Sequence, residues 1–301
     1  MSSAKTYNMV VLVKQVPDTK HITGNVMKDD GTMNRAALPA VFNPEDLNAL
    51  EMALQVRERY GGHVTVMTMG PPTAAEVLRD ALHRGADQVI LISDRKFAGA
   101  DTLATSYTLK CAIEKLGDYD MVFCGRQAID GDTAQVGPQT AEKLGIPQIT
   151  YAETVVSMEG DEIVAERALP LGKELVRCSL PCLLTVVASA NQPRPPSARK
   201  RIEYKLAATP LEYRSLLKKW PEFETEEALD AYLSERNQKL PLWTAADLGV
   251  DESMIGLGGS PTQVYKVNFV VLESTESKEV PADQEGIAAL LEELIQEYIV
   301  G

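Results

Sequence analysis

Short unbroken apolar runs alternate with longer stretches of helical periodicity through the first half of the chain. Met9–Val13 (Met-Val-Val-Leu-Val) contains no polar residue, as a strand buried on both faces requires. Asn43-Pro44-Glu45-Asp46 opens a helix: Asn43 can cap it, Pro44 suits the first helical position, and the two acids suit the positive end of the dipole. Leu47, Leu50 and Leu54 then recur on one helical face, and Gly61-Gly62 stops the helix. The pattern predicts a strand over His63–Met69, a helix over Thr73–Arg84, a strand over Val89–Ile92 and a helix over Asp101–Leu116. A strand over Met121–Cys124 and a helix over Thr133–Leu144 follow. Asp29-Asp30-Gly31 reads as a hairpin turn.

Strands that alternate with helices in this way form a parallel sheet with helices on both faces. The expected fold class is therefore α/β, a three-layer α/β/α Rossmann-like sheet. Ligands of such sheets bind outside the carboxyl ends of the strands. Four segments fall there: Lys14–Asp18, Met69–Pro72, Ala98–Thr102 and Gly125–Asp132. After Thr150 the pattern changes. Tyr151–Ser157, Glu162–Arg167 and Glu174–Arg177 read as an antiparallel addition, and Cys182–Val187 as one more buried strand. Asn191–Arg201 is a Pro- and Arg-rich loop, and residues 205–247 are polar with one acidic helix near Thr225–Arg236. The last helix carries Ile287, Leu290, Leu291, Leu294, Ile295 and Tyr298 as an apolar stripe, a C-terminal arm able to pack on another chain or on its own domain. The expected division is a nucleotide-binding domain over residues 1–204 and an extension over residues 205–301.

Composition narrows the function. A chain of 301 residues with 45% hydrophobic content can bury a sizeable core. The formal charge of −13 opposes nucleic acid and anionic membranes as partners. No apolar run approaches the roughly 20 residues of a membrane span, and the N-terminus lacks the apolar region of a signal peptide. A cytoplasmic location is expected. Cys111, Cys124, Cys178 and Cys182 form no Cys-x-x-Cys, and His21, His63 and His83 are scattered, so metal ligation is not expected and the thiols read as reduced core residues. No Ser-His-Asp, Cys-His or paired-carboxylate constellation stands out, so no catalytic side chain is assigned and a cofactor would have to carry any chemistry.

The stretch Cys124-Gly-Arg-Gln-Ala-Ile-Asp-Gly-Asp-Thr-Ala-Gln-Val-Gly-Pro-Gln139 is the most polar and hydrogen-bonding segment at a strand end. It lacks the G-x-x-x-x-G-K-[ST] pattern, and Gly256-Leu-Gly-Gly259 does not link a strand to a helix as a dinucleotide fingerprint does. Asp130 and Asp132 would repel a phosphate and suit capping, or hydrogen bonds to ribose and adenine. Arg126 and the backbone N–H groups around Thr133–Val136 suit phosphate better. Pro138 either opens a shorter helix or kinks this one. In Ala98-Gly-Ala-Asp-Thr-Leu-Ala-Thr-Ser106, Asp101 can cap the next helix, and the small residues before it leave room for a flat ring.

Together these segments resemble the beta subunit of electron transfer flavoproteins. The matching stretches are Val11-Leu-Val-Lys-Gln-Val-Pro-Asp-Thr19, Phe42-Asn-Pro-Glu-Asp46, Thr68-Met-Gly-Pro-Pro72, Gly99–Ser106 and Gly125–Gln139. The resemblance implies a nucleotide in this chain. In ordinary members that nucleotide is AMP, while in electron-bifurcating members it is a second FAD. Asp130-Gly-Asp-Thr133 and Gly99-Ala-Asp-Thr102 are similar to the bifurcating type, which carries Gly131 where the ordinary type has an acid. FAD is therefore expected, with AMP as the alternative. By matching position the resemblance implies ligand contacts at Leu12, Asn43, Pro44, Glu45, Asp46, Met69, Ala98, Gly99, Ala100, Asp101 and Thr102. It adds the run Gly125, Arg126, Gln127, Ala128, Ile129, Asp130, Gly131, Asp132, Thr133, Ala134, Gln135 and Val136.

It further implies NADH as electron donor, an alpha subunit with its own FAD, a flavin-dependent dehydrogenase of acyl-CoA or 2-hydroxy acid type, and ferredoxin as low-potential acceptor. A stand-alone adenine-nucleotide sensor is the alternative of another class. Two departures stand out. The family's partner-recognition loop reads Asn-x-Pro-Arg-Tyr, whereas Asn191-Gln-Pro-Arg194 is followed by Pro195, and only Ala198 stands where an apolar anchor is expected. Lys218–Leu240 looks like an insertion.

Overall fold

The computed structural model describes residues 5–18, 39–263 and 278–297. The Asp29–Gly31 turn, His21 and Tyr298 lie outside the described residues. The chain opens with β1 (Tyr7–Leu12), then β2 (Gln15–Pro17) and β3 (Ala40–Phe42), which pair with each other as a small antiparallel sheet. Then come α1 (Pro44–Tyr60), β4 (Gly62–Met69), α2 (Ala75–Arg84), β5 (Gln88–Ile92), α3 (Thr102–Leu116), β6 (Met121–Gly125) and α4 (Val136–Leu144). The antiparallel addition is β7 (Gln148–Glu159), β8 (Glu162–Leu169) and β9 (Gly172–Ser179), followed by β10 (Cys182–Val186). The remainder is α5 (Ala198–Glu203), α6 (Tyr213–Leu216), α7 (Glu226–Glu235), β11 (Leu242–Trp243), α8 (Ala245–Leu248) and α9 (Gln284–Gln296).

The main sheet has nine strands in the order β11-β5-β4-β1-β6-β10-β7-β8-β9. It is parallel from β11 through β7, and antiparallel across β7, β8 and β9. Alternation along β1 explains the three layers. Met9 and Val11 point into a core shared with Leu50 and Leu54 of α1 and Leu78 and Leu82 of α2. Val10 and Leu12 point into a second core with Leu109 and Ile113 of α3 and Ala141 of α4. Both faces are covered, so the strands read as unbroken apolar runs. The α/β/α expectation is borne out, as are the antiparallel addition and the acidic helix capped by Thr225, whose hydroxyl accepts from Ala228 N–H at 3.2 Å.

Three boundaries differ from the sequence reading. The last of the βα helices begins at Val136, not Thr133, because Asp132 and Ala134 take left-handed backbone (φ 49° and 52°) that a helix cannot continue. Pro138 thus sits in the first turn of a shorter helix, where its missing N–H costs nothing. The Asn191–Arg201 loop ends in α5, with Ser197 as its cap. Residues 205–263 are joined to the main sheet: β11 extends its edge on β5, Leu91 N–H donates to Pro241 O at 2.9 Å, and Ser93 N–H donates to Trp243 O at 3.0 Å. Residues 206–233 also carry a small core of their own around Tyr213, Leu229 and Leu233. Among the described residues no helix is long and apolar enough to cross a membrane.

Candidate functional site

β1 is the point where strand order reverses: the chain runs outward through β4 and β5 on one side, and through β6 and β10 on the other. That arrangement opens a crevice at the carboxyl ends of β1 and β6. Leu12 and Met69 end β1 and β4 there, and Gly125 ends β6.

The N-terminus of α1 holds this crevice in shape. Asp46 is buried, and its two carboxylate oxygens accept from two strand ends: Oδ2 from Lys14 N–H at 2.8 Å, Oδ1 from Gly125 N–H at 2.9 Å. Burial pushes this carboxyl up to about 7, against the opposing effect of the donors around it. Glu45 accepts from Gln127 N–H at 3.0 Å and pairs with the Arg126 guanidinium at 3.0 Å. Asn43 is fully buried; its amide donates to Gln127 O at 2.9 Å and accepts from Ile129 N–H at 3.1 Å. The expected side-chain cap by Asn43 is therefore corrected: it makes no capping bond to α1, because its amide is used across the chain instead. Gly125 has no room for a side chain, since a Cβ there would lie 2.5 Å from Asp46 Oδ1.

Two further expectations change. Arg126 is not a free cation: besides Glu45, its guanidinium lies 5.7 Å from the centre of the Tyr151 ring. Asp130 and Asp132 do not cap α4, whose cap position is Gln135 with no side-chain bond. Asp130 is held by Lys14 Nζ at 2.7 Å, and Asp132 accepts from Gln127 Nε2 at 3.0 Å. The local charge of Asp130 is thereby answered by Lys14. Pro44, Ala128 and Gly131 sit within the same cluster, Pro44 as the first residue of α1.

Next in line, the N–H groups of Thr133, Ala134, Gln135, Val136 and Gly137 make no hydrogen bond among the described residues. Val136 and Gly137 open α4, so these donors stand at its positive end. A Cβ on Gly131 would meet no atom within 4 Å, so this side of the loop faces open space.

The second segment, Ala98-Gly99-Ala100-Asp101-Thr102, lies on the same edge and is coupled to the first: Thr102 Oγ1 donates to Gln135 Oε1 at 2.9 Å. Asp101 caps α3 as expected, with Oδ1 accepting from Leu103 and Ala104 N–H, each at 3.0 Å. Its Oδ2 does something else. It accepts from Thr262 N–H at 3.1 Å and Thr262 Oγ1 at 2.8 Å, while Asp101 N–H donates to Ser260 Oγ at 2.8 Å. Burial works against the Asp101 carboxylate, but the hydrogen bonds from Ala104 and Thr262 outweigh it and hold its pKa below the usual range. Leu257 N–H donates to Ala98 O at 2.9 Å, so the Gly-rich 255–262 segment is laced over residues 98–101. Gly256 makes that approach possible, since a Cβ there would lie 2.0 Å from Lys96 O.

Lys14 falls in the strand-end segment Lys14–Asp18, but the sequence reading assigned no contact to Lys14, Ser260 or Thr262. The glycines and small polar residues of 255–262 were the available signal, but a search for a strand-to-helix fingerprint passes over them. The Asn191–Arg194 stretch is also engaged internally: the Asn191 amide donates to Asn48 O at 3.0 Å, and Arg194 grips Glu51 through Nε at 2.8 Å and Nη2 at 3.0 Å. Cys124 is buried, which pushes its thiol far above the ordinary range, so it offers no thiolate to the site. All four cysteines are unpaired.

A family model for the electron transfer flavoprotein domain matches residues 30–210. The electron transfer flavoprotein subunit beta of Clostridium acetobutylicum is 45% identical over 259 residues, covering 86% of this chain and 86% of that protein. The subunit of the same name from Thermoanaerobacterium thermosaccharolyticum is 41% identical over 293 residues, covering 97% of this chain and 100% of that protein. The caffeyl-CoA reductase-Etf complex subunit CarD of Acetobacterium woodii is 41% identical over 259 residues, 86% of each chain.

Proposed function

The chain belongs to the electron transfer flavoprotein family, as a beta-type subunit that serves electron transfer, and from that premise we propose that it holds FAD in the crevice at β1 and β6. One observation carries the proposal: five consecutive N–H groups, Thr133 to Gly137, make no hydrogen bond among the described residues at the positive end of α4, and Gly131 nearby has open space where a side chain would stand. These donors fit a phosphate group, and the salt bridge from Lys14 to Asp130 removes the repulsion that the acid would exert on it.

The residues divide the work. The N–H groups from Thr133 to Gly137 bind phosphate; Asp132, Gln127 and Gln135 offer hydrogen-bonding atoms to ribose and adenine; Ala98, Gly99 and Ala100 leave space for a flat ring. Asn43, Glu45 and Asp46 act from behind the loop as positioning residues, since their oxygens already accept from the chain. The open space at Gly131 favours FAD over the smaller AMP. FAD held there would supply acceptance of a hydride, with NADH as the proposed donor, and one-electron transfer toward an alpha-subunit FAD with its dehydrogenase and toward ferredoxin.

The partners proposed are an alpha subunit and a flavin-dependent dehydrogenase of acyl-CoA or 2-hydroxy acid type. The name of the Acetobacterium woodii relative, which places it in a reductase–Etf complex, supports the first of these dehydrogenase types. A cytoplasmic location accords with such soluble partners. The exposed apolar face of α9, with Ile287, Leu290, Leu291 and Ile295, supports an assembly over a stand-alone nucleotide sensor.

The test is to purify the chain with its alpha subunit, release the nucleotides by heat and identify them by mass spectrometry. Two FAD per heterodimer are expected. One FAD and one AMP would mean that this chain holds a structural nucleotide and does not bifurcate electrons.

A further inference from the structure

We propose that a cleft between α2 and the segment from Arg201 to Trp220 is a second binding site, for an aromatic compound that carries two or more phosphate charges, of nucleoside diphosphate type. None of its lining residues belongs to the crevice at β1 and β6, and the proposal does not depend on which nucleotide that crevice holds.

The cleft has a volume of about 580 Å³, within the range of small-molecule sites. Its charge is unusual for a chain whose net charge is −13. The carboxylates on its wall are already answered: Glu76 and Glu212 by Arg79 at 2.8 and 3.0 Å, Asp80 by Arg84 at 3.0 Å. Arg201, Lys205 and Lys219 also line it, and none of the three has an ion-pair partner among the described residues. Because Glu76 and Glu212 share one guanidinium, five cations, Arg84 included, stand against three carboxylates around the cleft, and that excess attracts a multiply charged anion.

Two other observations point to a ligand with more than charge. His83 lines the cleft, and its Nε2 is a buried polar atom with no hydrogen-bond partner among the described residues. Burial lowers the pKa of this imidazole, Arg201 and Arg79 lower it further, and as a neutral ring it can still donate or accept one hydrogen bond. Leu206, Leu216 and Trp220 also line the cleft and supply its apolar part. An indole offers stacking to a flat ring, and Arg201, Lys205 and Lys219 in the same lining offer cations to a phosphate tail.

The test uses the full chain already saturated with its own nucleotide, titrated calorimetrically with adenosine diphosphate, pyrophosphate and adenosine. Adenosine diphosphate is expected to bind in the micromolar range, at least about tenfold tighter than pyrophosphate or adenosine, and to displace none of the resident nucleotide. The double variant Lys205→Glu/Lys219→Glu changes two exposed side chains, and circular dichroism will verify its fold. It is expected to weaken adenosine diphosphate binding by at least about tenfold, and Trp220→Phe to weaken it less. Absence of saturable binding below about 1 mM would overturn the proposal, as would binding that the double variant leaves unchanged. Equal affinity for pyrophosphate would overturn the aromatic half of it.

Discussion

Asp46 joins the backbone just after β1 to that of β6 through one carboxylate, and Lys14 N–H and Gly125 N–H both lose this acceptor if it is removed. Asp46→Ala is expected to cost roughly 2–4 kcal/mol in urea unfolding, because two buried N–H groups are left unpaired. The effect should depend on pH with a definite sign. Folded, Asp46 keeps its proton up to about pH 7; unfolded, it releases it near about pH 4. Its contribution is therefore greatest below about pH 4 and declines as pH rises to about 7. The stability gap between wild type and Asp46→Ala should be wider at about pH 5 than at about pH 8; an equal gap would show that Asp46 ionises normally in the folded chain. Side-chain roles were the least legible level of the sequence. Asn43, Glu45 and Asp46 look like a helix start, and they do begin α1. Their second use, holding residues 125–129, depends on partners about 80 positions away, and no local pattern carries that information.

At the scale of elements, unbroken apolar runs marked the parallel strands well because both faces of the sheet are covered. The start of α4 was less legible: Thr133–Gln135 have ordinary helical composition, and the left-handed turns at Asp132 and Ala134 are imposed by the loop's attachments to α1. The start of α3 was read correctly, since Asp101 before Thr-Leu-Ala is a local cap signal. Asp101→Ala should cost about 1 kcal/mol through the lost cap, and should also free Thr262 from its carboxylate. The expected readout is a modest fall in thermal midpoint with a larger drop in nucleotide retained through gel filtration. Retention equal to wild type would show that Asp101 serves the fold alone.

Over the whole molecule, residues on either side of position 204 are fastened together. β11 completes the sheet edge and the 255–262 segment closes over Asp101, so both depend on the first 204 residues. Among the described residues α9 has its apolar stripe exposed, Leu291 at 48%. Leu291→Glu is expected to leave the melting of the isolated chain unchanged while reducing co-purification with the alpha subunit severalfold; undiminished co-purification would place that contact elsewhere. The way the crevice is fastened also sets the order in which it can be made during synthesis. Arg126 N–H needs Val186 O, and Asp101 needs Ser260 and Thr262. A nascent chain that has released only α1 and β6 therefore has an unfinished pocket, and the last of these fasteners arrives only when residue 262 leaves the ribosome. Capture of the nucleotide proposed above is therefore expected late in translation, after residue 262 has been released.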